Sequence, residues 1–202
     1  MMRFCNRGVL FVAMLAAFCP ALWAQQPDKT TTVQACSPCP VLTDVMPVSF
    51  PERSQAASPD GRYVIIGVDT DSPPHHTVFL DDHAQKTRRE LFDYDRHIVL
   101  LWANDSKSFA VTDYIGNDTS RCTVLSVDKS VRPIQVLDML FTALNKDARE
   151  QLESQLSNQH VHVEAFVWAA PTVLSVKVSG YRDVDRAAFE TFYNVQLHPA
   201  QP

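Results

Sequence analysis

The stretch Ser58-Pro59-Asp60-Gly61-Arg62-Tyr63-Val64 is answered 45 residues later by Ala103-Asn104-Asp105-Ser106-Lys107-Ser108-Phe109-Ala110. Both run from a small residue through an Asp-centred turn to a basic residue, and then to an aromatic that leads a strand. In the first copy Pro59 presets one backbone dihedral and Gly61 accepts a positive one, which is turn chemistry. Residues 62–69 (RYVIIGVD) then have the β-branched content of a strand. A second echo joins Leu101-Trp102-Ala103 to Val167-Trp168-Ala169, each Trp closing one strand before the turn into the next. Trp102 and Trp168 are 66 residues apart, close to the first spacing once a helical insertion of about 24 residues is set aside.

Working outward, a short strand is expected around 45–50, and others at 76–80, 87–92, 97–102, 108–114 and 121–127. The polar turns Asp71-Ser72-Pro73-Pro74, Asn104-Asp105-Ser106-Lys107 and Gly116-Asn117-Asp118 punctuate them. The period then changes. Between 134 and 157, Leu140, Leu144, Ala148, Leu152 and Leu156 recur at every fourth position, one stripe of a helix. Asn145, ahead of Lys146-Asp147, has the chemistry of an internal N-cap, so two consecutive helices or one kinked helix are expected. Strands resume at 160–168, 173–178 and 189–197. The expected fold class is mainly β (α+β). It comprises about three four-stranded, antiparallel, propeller-blade-like hairpin units with one helical insertion at about 134–157, in a single domain over 58–198.

These motifs resemble the WD40-like repeats of TolB-type β-propellers, whose blades carry a Trp-Ser-Pro-Asp-Gly/Ser-Lys/Arg-aromatic turn. Ser58 to Tyr63 fits that pattern, Trp102 to Phe109 fits it with Ala-Asn in place of Ser-Pro, and the third copy keeps Trp168 alone. Over roughly residues 55–198 the layout also resembles small secreted bacterial proteins. The resemblance implies a blade scaffold with Asp60, Gly61, Trp102, Asp105 and Trp168 as turn and core residues. It implies little about activity, because such scaffolds host many. Closed propellers take at least about four blades. Three units therefore imply either an open β assembly covered by the helix or a ring completed by a partner.

The N-terminus divides like a secretory signal. Arg3 and Arg7 make a basic start, residues 8–22 an apolar run, and Ala21-Leu22-Trp23-Ala24 a small-residue site before polar Gln25-Gln26. Cleavage after Ala24 is expected; the alternative is an uncleaved anchor. Residues 25–57 read as a polar, Pro-rich arm or linker. Losing Arg3 and Arg7 moves the net charge from −5 to −7, and an acidic chain lacks the clustered Lys and Arg that nucleic acid requires. Lys86-Thr87-Arg88-Arg89 is the densest basic spot, and Asp81, Asp82 and Glu90 flank it, as on a solvated strand or loop face. After signal cleavage no second apolar stretch is long enough for a transmembrane helix. The expected location is extracytoplasmic, in a bacterial periplasm or secreted.

Three cysteines follow the signal: Cys36, Cys39 and Cys122. In an oxidising compartment an odd count suggests one disulfide and one remaining thiol, or pairing between chains. Cys36-Ser37-Pro38-Cys39 has redox C-x-x-C spacing. Its Thr- and Pro-rich surroundings equally suit a staple from the arm to Cys122.

His160, His162 and Glu164 alternate on one strand face, a set of zinc-compatible ligands. They equally suit the polar side of an amphipathic strand with Val161, Val163, Ala165 and Val167 inward. His75-His76 and Asp81-Asp82-His83 could likewise form a surface metal clip or simply be loop histidines. Asp69, Asp71, Asp113 and Asp118 lack the spacing of a calcium loop. A nucleophile elbow, a phosphate loop and a dinucleotide fingerprint are absent, and with 5 glycines in the chain phosphate cradles are hard to build. No cofactor is expected. The residues point to an exported protein that acts by binding a protein partner in the cell envelope. The alternative is a metal-dependent or redox enzyme using His160, His162 and Glu164, or Cys36 and Cys39.

Overall fold

The 45-residue repeat returns in a shared set of hydrogen bonds at its two turns. The Ser58 amide donates to the Tyr63 carbonyl at 2.8 Å, and the Ala103 amide to the Ser108 carbonyl at 2.9 Å. Gly61 donates to Ser58 O, as Ser106 does to Ala103 O. Asp60 Oδ1 accepts from the Arg62 amide, and Asp105 Oδ1 from the Lys107 amide, each at 3.0 Å. Gly61 has φ +70° and Ser106 φ +60°. The left-handed position is free for glycine and costs serine about 1 kcal/mol. The two turns also touch, because the Asp60 amide donates to Ser106 Oγ at 3.0 Å. The structure, a computed structural model, describes residues 33–36, 45–71 and 74–197. The expected signal segment, Cys39 and much of the arm lie outside the described residues.

Four strands form a meander: β3 (Gln55–Ala57), β4 (Tyr63–Asp71), β5 (Pro74–Asp82) and β6 (Thr87–Tyr94), each antiparallel to the next. A larger sheet holds β2 (Val48–Phe50), β7 (Ile98–Trp102), β8 (Ser108–Asp113), β9 (Thr119–Ser126) and β10 (Ile134–Gln135). It continues through β11 (His160–Ala170), β12 (Val173–Tyr181), β13 (Ala188–Gln196) and β1 (Val33–Cys36). Its order is β1-β13-β12-β11-β9-β8-β7-β2, with β10 hydrogen-bonded to β9 off that path. The fold is thus mainly β with two helices, as expected, but three separate four-stranded units do not form. The second and third runs are fused, because β9 and β11 pair in parallel at Thr119↔Val161 and Ser120↔His162. Strand β2 falls where a short strand was expected around 45–50, whereas β1 and β3 arise elsewhere in the supposed arm, so order begins upstream of residue 58.

The insertion is two helices, α1 (Val136–Ala143) and α2 (Lys146–Leu156). Asn145 divides them as its chemistry predicts: its Oδ1 accepts from the Ala148 amide at 3.0 Å. Leu140, Leu144 and Leu152 are buried, and Ala148 and Leu156 pack beside them. The helical stripe covers one face of the large sheet, against Val161, Val163, Val176 and Val195. The other core lies between the two sheets, around Phe50, Ile65, Val78, Leu100, Trp102 and Phe109. Strand β7 serves both, with Leu100 and Trp102 in one core and Leu101 in the other, which is why its run IVLLW reads as continuously apolar.

The tryptophans tie successive runs together. Trp102 Nε1 donates to the Ala56 carbonyl at 3.2 Å, and Trp168 Nε1 to the Leu101 carbonyl at 3.1 Å. Ala56 and Leu101 are themselves 45 residues apart. Each indole therefore reaches the equivalent carbonyl of the preceding run. Both rings are almost fully buried, so an indole N–H without such a partner would be costly.

Candidate functional site

Strand β11 alternates as the sequence suggested. Val161 and Val163 are buried in the helix-covered core, and His160, His162 and Glu164 share the opposite face. The alternation breaks at Phe166, an extra residue between the pairs Ala165↔Val176 and Val167↔Ser175. Of the three polar side chains, Glu164 is the one engaged at both oxygens. Glu164 Oε2 lies 2.7 Å from Lys177 Nζ, directly across on β12, and its Oε1 accepts from the Tyr114 hydroxyl at 2.5 Å. Burial alone would raise the Glu164 carboxyl. The bonds from Lys177 and Tyr114 and the nearby charges outweigh it and hold the group below its usual range. Burial, and then Glu164, push the Tyr114 phenol upward.

His160 stacks on Tyr181 at 4.4 Å between ring centroids, and its Nδ1 lies 3.2 Å from Asp118 Oδ2. That contact misses the angle of a good hydrogen bond, since the same nitrogen counts as buried without a partner. His162 Nδ1 is also buried and unpartnered, with the Tyr114 ring 5.9 Å away. Among the described residues no three His, Cys, Asp or Glu side chains converge on a position that would hold a metal. His160, His162 and Glu164 thus share one face without converging on a common position. Glu164 has spent both oxygens, and one of them faces an ammonium that would repel a cation. His76, from the other candidate clip, instead sits 2.7 Å from Asp69 Oδ1.

A regularity not foreseen from the sequence emerges here. His76 stacks on Tyr94, His97 on Tyr114 and His160 on Tyr181, each pair directly opposed across two antiparallel strands. For the middle pair, the Tyr114 amide donates to the His97 carbonyl. The signal was a His and a Tyr at matched ladder positions, which becomes visible only once the register is known.

Cys122 carries a free, buried thiol, pushed up to about 12 chiefly by burial. Such a group is a poor nucleophile. No staple from the arm to Cys122 is found among the described residues, and Cys39, one of its two candidates, lies outside them. Cys36 is in β1, and β13, β12 and β11 lie between β1 and β9. At ~4.8 Å per strand that is about 19 Å of sheet, against the ~7 Å between Cα atoms that a disulfide spans.

The basic spot around Arg88 turns out to be two-sided. Arg88 pairs with Asp81 opposite it on β5, at 2.7 Å, as a solvated face should. Arg89 points the other way and donates from Nη2 to the carbonyls of Ser126 and Val127 at 3.4 and 3.1 Å. This bond joins β6 to the end of β9, between two clefts. One, of about 270 Å³, mixes Leu91, Phe92, Leu125 and Pro133 with the charged Asp93, Asp113 and Arg121. The other, of about 520 Å³, lies at the Thr87 end, among Arg62, Tyr63, Arg89, Val127, Asp128 and Lys129.

Beside both clefts runs the outer edge of β6. It is an 8-residue strand at the end of its sheet, with no further strand placed beyond it among the described residues. The other terminal strands, β1, β2 and β3, have 4, 3 and 3 residues. What this arrangement can do chemically is present a row of backbone donors and acceptors next to side-chain pockets. No protein-family model, curated protein or solved structure matches the chain, so the site is interpreted from its own geometry.

Proposed function

We propose that the protein is an exported module of the cell envelope that binds a protein partner, and that β6 is the strand on which the partner docks. The observation that carries this reading is the outer edge of β6, the last strand of its sheet among the described residues, with clefts at both ends. An extended segment can add to such an edge through main-chain hydrogen bonds, with alternate side chains entering pockets. The signal-like N-terminus supports the location. The matched turns and the two Trp-to-carbonyl bonds support treating the runs as blade-like repeats, though fused rather than radial.

A photo-crosslinking amino acid at position 90, on the exposed part of β6, is to be compared with one at position 150 on α2 in cells producing the full chain. One recurrent partner captured from position 90 and not from 150 is the expected result. Equal capture from both positions, or none from 90, refutes the assignment.

A further inference from the structure

Resting on that reading of β6, we infer that the docked segment is an extended peptide with an acidic C-terminal end and an apolar side chain about four residues before it.

The charge pattern sets the first feature. In the larger cleft Arg62 is bonded to Asp82 and Arg88 to Asp81. That leaves Arg89 and Lys129 against the single carboxylate of Asp128. Bonds from Ser130 already satisfy Asp128, and the two cations add to what holds its carboxyl below the usual range. Arg89 spends one nitrogen on backbone carbonyls and Lys129 is exposed. A surplus cation thus sits at the Thr87 end of the edge, on a chain whose net charge is −5.

The second feature comes from the other cleft. Leu91, Phe92, Leu125 and Pro133 form the apolar wall of a mixed recess, which Asp93, Asp113 and Arg121 also line, about four residues along β6 from Arg88, some ~14 Å at the rise of an antiparallel strand. Antiparallel pairing is the more stable kind. It places the C-terminus of the added segment beside Thr87, where the cations are.

Direction and charge are read out together by fluorescence anisotropy on the full chain, using labelled octapeptides of alternating valine and threonine. One probe ends in two glutamates, one begins with them, and one ends in two lysines. The C-terminal glutamate probe should bind about three- to fivefold tighter than either of the others at low salt, the range of one exposed charge contact. The margin should vanish near 0.5 M salt. Lys129→Glu, which removes a side chain with no bond to the fold, should erase it or reverse it. N-methylation of alternate residues in the probe should abolish binding.

Equal affinity for the three probes overturns the inference, as does a margin that survives Lys129→Glu. If binding is then still lost on N-methylation, strand addition stands and only the peptide chemistry is wrong. If no probe binds while position 90 still captures a partner, the inference falls and docking on β6 survives. Failure of both experiments removes both claims.

Discussion

Replacing Lys177 by methionine isolates the one half-buried ion pair on the β11 face. The Lys177 and Glu164 side chains are 27% and 18% exposed, and Nζ lies 2.7 Å from Oε2. Methionine keeps most of the stem's packing, so the loss is electrostatic. A fully buried partner left alone costs about 3–5 kcal/mol, but here Tyr114 still donates to the other oxygen and some water reaches the site. A loss of about 2 kcal/mol at pH 7 follows, in the range of one hydrogen bond to a charged group. For a domain of this size that lowers the melting temperature by roughly 4–8 °C.

The pH dependence gives the sharper test. Glu164 is held below its unfolded value, so its stabilising contribution is present above the ordinary carboxyl range near ~4.3 and is lost as pH falls through the lowered folded value. In Lys177→Met that contribution is diminished from the start. The gap between wild type and variant should therefore be full at pH 7 and shrink as Glu164 protonates. Urea unfolding at pH 7 and at pH 3.5, with the slope checked for equality, measures it. A gap of the same size at both values would show that Lys177 acts through packing and would refute the ion-pair account.

Three further outcomes follow from particular contacts. Tyr94→Phe should change stability by less than about 0.5 kcal/mol in either direction, since the buried hydroxyl has no partner to lose; a loss above 1 kcal/mol in urea unfolding would reveal a hidden one. Trp102→Phe should cost roughly 2–3 kcal/mol, combining a smaller ring with an orphaned Ala56 carbonyl, and Trp168→Phe should cost a similar amount through Leu101. Gly67→Ala should cost about 1–3 kcal/mol, because the new Cβ would lie 2.8 Å from the Phe50 ring; an unchanged melting temperature would mean that ring swings aside freely.

Strand existence was legible because the local chemistry was strong. RYVIIGVD after a Pro-Asp-Gly turn can hardly be anything else, and Asn145 announced the break between α1 and α2 through its cap. The repeat was legible too, down to the equivalent Asp, basic and left-handed positions of the two turns. What could not be read was how the runs meet. Parallel pairing of β9 with β11 rests on two residue pairs 42 positions apart, and nothing in either strand's composition encodes a neighbour. Short edge strands were lost for the same reason: Gln55–Ala57 is three residues that only β4 makes into a strand. The partners of the β11 polar face were also beyond the sequence. Alternation correctly put His160, His162 and Glu164 on one face, but Lys177 comes from the facing strand and Tyr114 from just after β8, and both engage Glu164.

The edge of β6 makes sense as a docking strand only if it resists indiscriminate pairing, since a long bare edge invites aggregation. The other terminal strands escape the problem by brevity. β6 does not, and it carries two features that make pairing selective. Leu91 is an extra residue between the pairs Val78↔Phe92 and Phe79↔Glu90, so an incoming strand must accommodate a bulge to continue along it. Arg88 and Glu90 alternate in sign on its outward face, and Arg89 is anchored across the cleft. A uniform apolar strand would meet mismatched charge and register. A segment whose charge sits at the Thr87 end and whose apolar residue falls at the recess would meet neither. The features that guard the edge are thus the ones that would choose its partner.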